Sequence, residues 1–388
     1  MIPRLLSEKA LQLHQQFPAL MITGPRQSGK TTLIHNLFPH LPYVTLEDPD
    51  TRARALDDPR GFLQQFPNGA ALDEVQRTPE LFSYLQHLMD SQPERRYVLS
   101  GSQHFLLMEQ VSQSLAGRVA ILRLLPLALE ELKNGGYLKQ SSADEYVFQG
   151  GFPRIFSQGI APYDFYSAYL ETYVERDVRQ LRQVGDLNRF IRFIKLCAGR
   201  IGQLLNISSL ASDTGVSHAT AQAWLSVLET SHIIFLLQPH FKNFNKRIVK
   251  MPKLYFTDTG LACNVLGIEA ATQLSTHFLR GGLFENLVIL EALKGRYNAG
   301  KKSNLYFWRD NHGYEVDLLI ENADLLLPVE IKSAATTNMS FFDGLKYWRQ
   351  LAIDATESGF VAYGGDENFK TSSGDFISWK HLKEGFKM

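Results

Sequence analysis

Eight consecutive residues, Gly24-Pro25-Arg26-Gln27-Ser28-Gly29-Lys30-Thr31, fit the pattern GxxxxGK[ST] without a gap. Glycines in such a loop let main-chain N–H groups turn inward toward phosphate oxygens, and the helix that follows adds the positive end of its dipole. Lys30 would then reach the β- and γ-phosphates while the Thr31 hydroxyl ligates Mg2+. With Thr32 in the first helical turn, residues 24 to 32 form the expected cradle for ATP. Downstream, the short apolar run "AALDE" ends in Asp73 and Glu74. Asp73 is placed to hold the metal through water, and Glu74 to orient and deprotonate the attacking water. A protein that only binds ATP has no need of Glu74, so this residue argues for turnover.

Further residues follow the same logic. Ser100 and Ser102, in "VLSGSQ", close the next strand and offer a hydroxyl beside the γ-phosphate. Arg118, in "SLAGRVAILRL", precedes another strand. It reads either as an arginine finger donated to a neighbouring subunit, which implies a homo-oligomer, or as a surface salt bridge.

A second constellation lies nearly three hundred residues further on, in "GYEVDLLIENADLLLPVEIKS". Glu330 and Lys332 are two apart on an expected strand, so both point to one face, and Asp317 sits on the strand before. If the strands pair, Asp317 and Glu330 converge on a hard cation, and Lys332 stabilises a hydroxide nucleophile. Glu285, on "FENLVILEALKG", completes the set as a further ligand or as an ordinary helix-start carboxylate. Three outcomes stay open: an ATP-gated Mg2+ nuclease, an inert DNA clamp, or an ion-paired scaffold.

The elements that must position these residues are legible in the hydrophobic pattern. "ALMITG", "YVTLED", "GAALDE", "RYVLSGS" and "VAILRLLPL" are nearly all apolar and alternate with helical stretches, which predicts a parallel sheet covered on both faces. Residues 161 to 230 read as successive helices. The last of these, "ISSLASDTGVSHATAQAWLSVLET", has the helix–Gly turn–helix pattern packed by Leu210, Ala211, Val216, Trp224, Leu225 and Leu228. The strands "IIFLLQPH" and "KLYFTD" would form its wing, with Lys242, Lys246, Arg247, Lys250 and Lys253 around the connection. Between 176 and 200, Arg176, Arg179, Arg182, Arg189, Arg192, Lys195 and Arg200 face only Asp177 and Asp186. A local patch of this kind supports salt-sensitive, backbone-driven contact with double-stranded DNA. The second helix carries no Lys or Arg and offers only Thr220 and Gln222 to base edges, so operator reading is not expected. A lid or protein-docking role for the same segment is the alternative. The expected divisions are residues 1–135, 136–258 and 259–388.

At 388 residues the chain is long enough for several cores, and 44% hydrophobic with 21% charged residues fits a globular protein. Forty Lys and Arg balance forty Asp and Glu, so any nucleic-acid surface must be local. Two cysteines, Cys197 and Cys263, exclude a disulfide framework and a zinc cluster. The start, "MIPRLLSEKALQLHQQF", is an amphipathic helix pattern, and no apolar run approaches a membrane span, so the expectation is a cytoplasmic protein with no membrane partner.

"GPRQSGKTTL", "LDEVQRTPELFSYL", "LSGSQHFLL", "SLAGRVAILRLLPL" and "GGFPR", with "YEVDLLI…VEIKS" near the end, together resemble the prokaryotic AAA+ ATP-binding proteins whose C-terminal half is a widespread domain of unknown function. The resemblance runs through most of the chain. It implies an α/β architecture: an AAA+ P-loop domain, a helical and winged-helix middle, and a restriction-endonuclease-like end with a PD-(D/E)XK core.

Overall fold

The structure, a computed structural model, describes residues 2–101, 115–138, 142–173, 186–240, 249–352 and 356–387. The chain divides into two compact units. The first comprises Met1–Leu127 with the short pieces Thr230–His232 and Tyr297–Lys302; the remainder forms the second.

The first unit is built on five parallel strands: β1 (Ala19–Thr23), β2 (Tyr43–Thr45), β3 (Ala71–Asp73), β4 (Tyr97–Gly101) and β5 (Val119–Arg123), in the order β2-β3-β4-β1-β5. Every residue of β1 is buried, as the continuous apolar run requires of a strand covered on both faces. Alternation divides its side chains between two cores. Ala19 and Met21 join Leu72, Phe82, Leu85 and Leu99 on one face, while Leu20 and Ile22 join Leu33, Ile34, Ala71 and Val98 on the other. Because the strands are parallel, the ends of β1, β3 and β4 open on the same side of the sheet, which brings the Gly-rich loop, Asp73 and Ser100 together.

The second unit starts with helices. Among its helices are Leu187–Ala198, Ile207–Thr214 and His218–Thr230; the first and third meet through Trp224, whose ring lies 5.2 Å from that of Phe190 and 5.4 Å from that of Phe193. Asn206 caps the middle helix by accepting from the Ser209 N–H at 3.0 Å. Gly215 ends it with a φ of 78°, the left-handed conformation that favours glycine at this position.

An eight-stranded mixed sheet completes this unit. It contains β6 (Ile234–Pro239), β7 (Lys253–Phe256), β8 (Leu305–Arg309), β9 (Glu315–Asn322), β10 (Leu325–Lys332), β11 (Phe360–Tyr363), β12 (Phe369–Thr371) and β13 (Gly374–Ser378). Their order is β12-β13-β11-β10-β9-β8-β6-β7. The strand pair expected to form a wing is therefore an edge of the C-terminal sheet: β6 pairs antiparallel with β7 and parallel with β8. The division expected near residue 258 falls just after β7, a strand of the same sheet as β8. Ile234 to Leu237 pair with β7, and Gln238 and Pro239 carry the strand on to β8. Lys242, Lys246 and Arg247 lie outside the described residues, as do Arg176, Arg179 and Arg182. Among the described residues, no helix is long and apolar enough to cross a membrane.

One stretch of this sheet has a compact order: helix Arg280–Asn298, the antiparallel strands β8, β9 and β10, helix Asp343–Leu351, then β11 parallel to β10. The β9–β10 register sets Leu318 opposite Val329, so the next pair in line is Asp317 with Glu330. Glu315 and Asp317 thus share a face with Glu330 and Lys332.

Candidate functional sites

The Gly-rich loop of the first unit wraps a small concavity at the end of β1. Gly24 has a φ of 153°, and a Cβ there would stand 2.1 Å from the Leu124 carbonyl oxygen, so only glycine lets the chain pass. Gln27 at φ 60° and Gly29 at φ 96° turn the chain into helix Lys30–Leu37. The Lys30 ammonium, 6% exposed, folds back over the loop and donates to the carbonyls of Gly24 at 2.9 Å and Pro25 at 2.8 Å. Arg4 supports the loop from outside, donating to the Ser28 carbonyl at 2.7 Å and the Leu125 carbonyl at 2.6 Å. No motif spacing connects Arg4 to a loop twenty residues away, so sequence reasoning missed it.

Asp73 ends β3 facing this loop. One of its oxygens accepts from the Thr31 hydroxyl at 3.5 Å and from the Tyr43 phenol; the other accepts from the Ser100 hydroxyl. Tyr43 was also missed, since nothing in the sequence signals that β2 sets its hydroxyl against β3. Burial, with the Asp73 carboxylate beside it, pushes the Tyr43 phenol well above its usual range, so it acts as a fixed donor. Ser100 is the serine that meets Asp73, and Ser102 lies outside the described residues. Glu74 follows in a left-handed conformation, φ 54° and ψ 42°, with its carboxylate accepting from the Gln76 amide. Thr31 and Thr32 are exposed at the loop mouth.

Arg118 lies in an in-chain pair. Its guanidinium donates to both oxygens of Asp90, at 2.6 and 2.9 Å, and to the Ala116 carbonyl at 3.1 Å. Reaching a neighbouring chain's nucleotide would require it to leave Asp90.

The second unit gathers its own charged cluster. Glu285 from helix Arg280–Asn298 and Glu315 and Asp317 from β9 each offer a carboxylate oxygen within 4.8 Å of the others. Lys332 donates to Glu330 at 2.5 Å and lies 3.8 Å from Asp317, whose carboxylate also accepts from the Ile331 N–H at 2.8 Å. Glu285, Asp317, Glu330 and Lys332 are thus close neighbours. Glu315, Lys253, Tyr255 and Arg309 were missed as members of this cluster. Glu315 lies two residues before Asp317 and could have been found by that alternation. Lys253 was assigned to a basic wing. It is instead 3% exposed, with its ammonium 2.8 Å from Glu285 and paired with Glu315. Tyr255, two residues along the same strand, donates to Glu285 at 2.5 Å, and Arg309 holds the other Glu315 oxygen at 3.1 Å. Burial raises Glu285 to about 7 and Glu330 to about 8, with the Asp317 charge adding to both.

Of the basic residues near the helix–turn–helix, Arg189 pairs with Asp186 at 3.1 Å and Arg200 pairs with Asp213. In the second helix Gln222 is exposed, while Thr220 is half-buried with its hydroxyl 2.8 Å from that of Ser217.

Comparison with known proteins divides the chain in three. The family described as an AAA domain matches residues 16–133, and two domains of unknown function, DUF8612 and DUF4143, match residues 140–272 and 280–382. The uncharacterized protein Rv2008c of Mycobacterium tuberculosis is 30% identical over 362 residues, spanning 92% of this chain and 78% of that one. The uncharacterized protein MJ1544 of Methanocaldococcus jannaschii is 24% identical over 340 residues, spanning 79% and 73%. Among solved structures, the Walker-type ATPase paby2304 of Pyrococcus abyssi superposes with a TM-score of 0.49 at 15% identity, over 68% of this chain and 96% of its own. The identity and coverage shared with the mycobacterial protein place this chain in one family with it, and in this chain that family carries an AAA domain at its N-terminal part and the domain of unknown function DUF4143 at its C-terminal part.

Proposed function

We propose that the first unit binds ATP with Mg2+ and hydrolyses it, using Lys30, Thr31, Asp73 and Glu74. The observation that carries this reading is the meeting of Thr31 and Asp73 at the mouth of the loop, 42 residues apart in the chain. Their oxygens form a hard donor set suited to Mg2+, and the loop's own backbone supplies the phosphate cradle. When bound, the ion would screen the β- and γ-phosphates and favour charge moving onto the leaving oxygen.

The chain's own groups do the rest. The Lys30 ammonium is satisfied by two loop carbonyls and can exchange them for phosphate oxygens, so its desolvation is largely met before nucleotide arrives. Tyr43 and Ser100 fix both oxygens of Asp73, which leaves that carboxylate aimed at the loop without a search through rotamers. Glu74 stands one residue beyond, oriented by Gln76, where it can accept a proton from the attacking water.

Phosphate release from purified protein with Mg2+ and ATP tests this. Lys30→Ala is expected to abolish both binding and turnover. Glu74→Gln is expected to retain binding and lose about 10²–10³-fold in kcat, the scale of a lost general base with its positioning. Equal loss of binding in both variants would show that Glu74 is structural.

Engagement of double-stranded DNA through phosphate contacts is a further proposal, supported by the arginine-rich stretch before the helix–turn–helix. Fluorescence anisotropy at low salt checks it, and silence at micromolar protein would remove it.

A further inference from the structure

Three carboxylates within mutual reach on a helix and a strand invite a divalent ion, and Asp317, Glu330 and Lys332 lie in the spacing of a magnesium nuclease. The chain, however, sends its own cation into that place. Lys253 enters from β7, an edge strand that is otherwise remote in sequence, and its ammonium contacts Glu285 and Glu315, two of the three carboxylates an ion would share. Its backbone is fixed on both sides, by register with Leu237 in β6 and by a bridge to Leu204. The Phe307 ring lies 5.5 Å below the ammonium. A lysine so buried has no route by which to take its charge to water without moving the strand, and an uncompensated ammonium there would be costly. Glu285 and Glu315 therefore hold it.

Lys253, Arg309 and Lys332 already serve the carboxylates of Glu285, Glu315, Asp317 and Glu330. A divalent ion would share carboxylates with an ammonium already seated on them, and like charges at that distance oppose its entry.

We propose that Lys253 is the resident cation of this cluster, seated on Glu285 and Glu315 in place of the divalent ion that these two and Asp317 could otherwise share, so that the wild-type cluster takes up no divalent ion and gains a site only when Lys253 is removed. The side chains the sequence offered as Mg2+ ligands, Glu285, Asp317 and Glu330, are then members of an internal ion network that ties β7, β9 and β10 to helix Arg280–Asn298.

Manganese serves as the probe. The full chain carrying Lys30→Ala, which disables the nucleotide loop, is titrated with Mn2+ in the absence of nucleotide and free ion is followed by electron paramagnetic resonance. With Lys253 present, no stoichiometric uptake is expected up to ~1 mM, the weak end of protein sites for hard cations. Adding Lys253→Met is expected to create one Mn2+ site per chain, which a further Asp317→Asn removes. Stoichiometric Mn2+ in the Lys253-containing protein, lost on Asp317→Asn, would overturn the proposal, as would a folded Lys253→Met protein that gains no site. Should Lys253→Met fail to fold, the Lys253-containing arm still decides, and Mg2+-dependent plasmid nicking that vanishes on Asp317→Asn would count equally against it.

Discussion

Glu330 shows how one carboxyl can be read for both chemistry and stability. It is 9% exposed, one of its oxygens meets Lys332, and the groups facing it are Asp317 and Glu315 from β9 with Lys332 from its own strand. Burial, reinforced by Asp317, lifts it to about 8, and Glu285 is lifted to about 7 by burial and Asp317 against the pull of Lys253. A carboxyl whose folded-state pKa lies above its unfolded value favours the fold while protonated. Its contribution is complete below the unfolded value near 4.5 and is lost as pH rises through 7 to 8. All four tryptophans, Trp224, Trp308, Trp348 and Trp379, are buried in the second unit, so their fluorescence follows the unfolding of that unit alone. The denaturant midpoint read this way is expected to fall between about pH 6 and about pH 9, and to fall less in Glu330→Gln, which keeps the shape of the neutral acid. An unchanged or steeper slope in that variant would show that Glu330 does not titrate in this range.

At the scale of elements, the nucleotide loop depends on backbone more than on side chains. Gly24→Ala would drive a methyl into the Leu124 carbonyl, a main-chain atom at the end of β5 that cannot rotate away. The expected result is a chain destabilised by about 2 kcal/mol or more, the scale of a forced backbone clash, whose thermal midpoint no longer rises with Mg2+ and ATP. A variant that melts as the wild type and still responds to ATP would mean that β5 yields. The same loop shows what was legible in advance. Residues 24 to 31 announced themselves because glycine and lysine at fixed offsets are a backbone requirement, and β1 and β3 because strands buried on both faces are apolar throughout. Strands β6 and β7 were just as visible as strands, but their partner was not. An apolar six-residue run reads the same whether it ends as a wing or as the edge of a large sheet, and here pairing with β8 decided.

For the whole molecule, the open question is whether chains act together. Arg118 is held by both oxygens of Asp90 on an exposed surface, where such a pair contributes little and can be exchanged for a better acceptor. If a neighbouring chain's triphosphate is that acceptor, phosphate release per chain rises with protein concentration, and Arg118→Ala lowers it about 10³-fold or more at saturation. A per-chain rate that stays flat while light scattering shows a monomer throughout, or an Arg118→Ala enzyme as fast as wild type, would assign Arg118 to its salt bridge. The two compact units also differ in what they make available to experiment: nucleotide chemistry belongs to the first, every tryptophan to the second.

The amino-acid sequence by itself determined the phosphate loop, the acidic strand end and the common face of Glu330 and Lys332, because each is a short-range pattern in which residue type and spacing carry the chemistry; the β9–β10 register then set Asp317 beside them. It also determined the parallel sheet, through runs of apolar residues that only a doubly covered strand can hold. Tertiary structure alone decided that Tyr43 and Ser100 grip Asp73, that Arg4 braces the loop, and that Arg118 sits on Asp90. Above all it decided the place of Lys253. In the sequence this residue is one basic side chain among several around the connection of an expected wing. Only the packing of β7 against β6 and the helix Arg280–Asn298 turns it inward, where burial obliges its charge to find carboxylates.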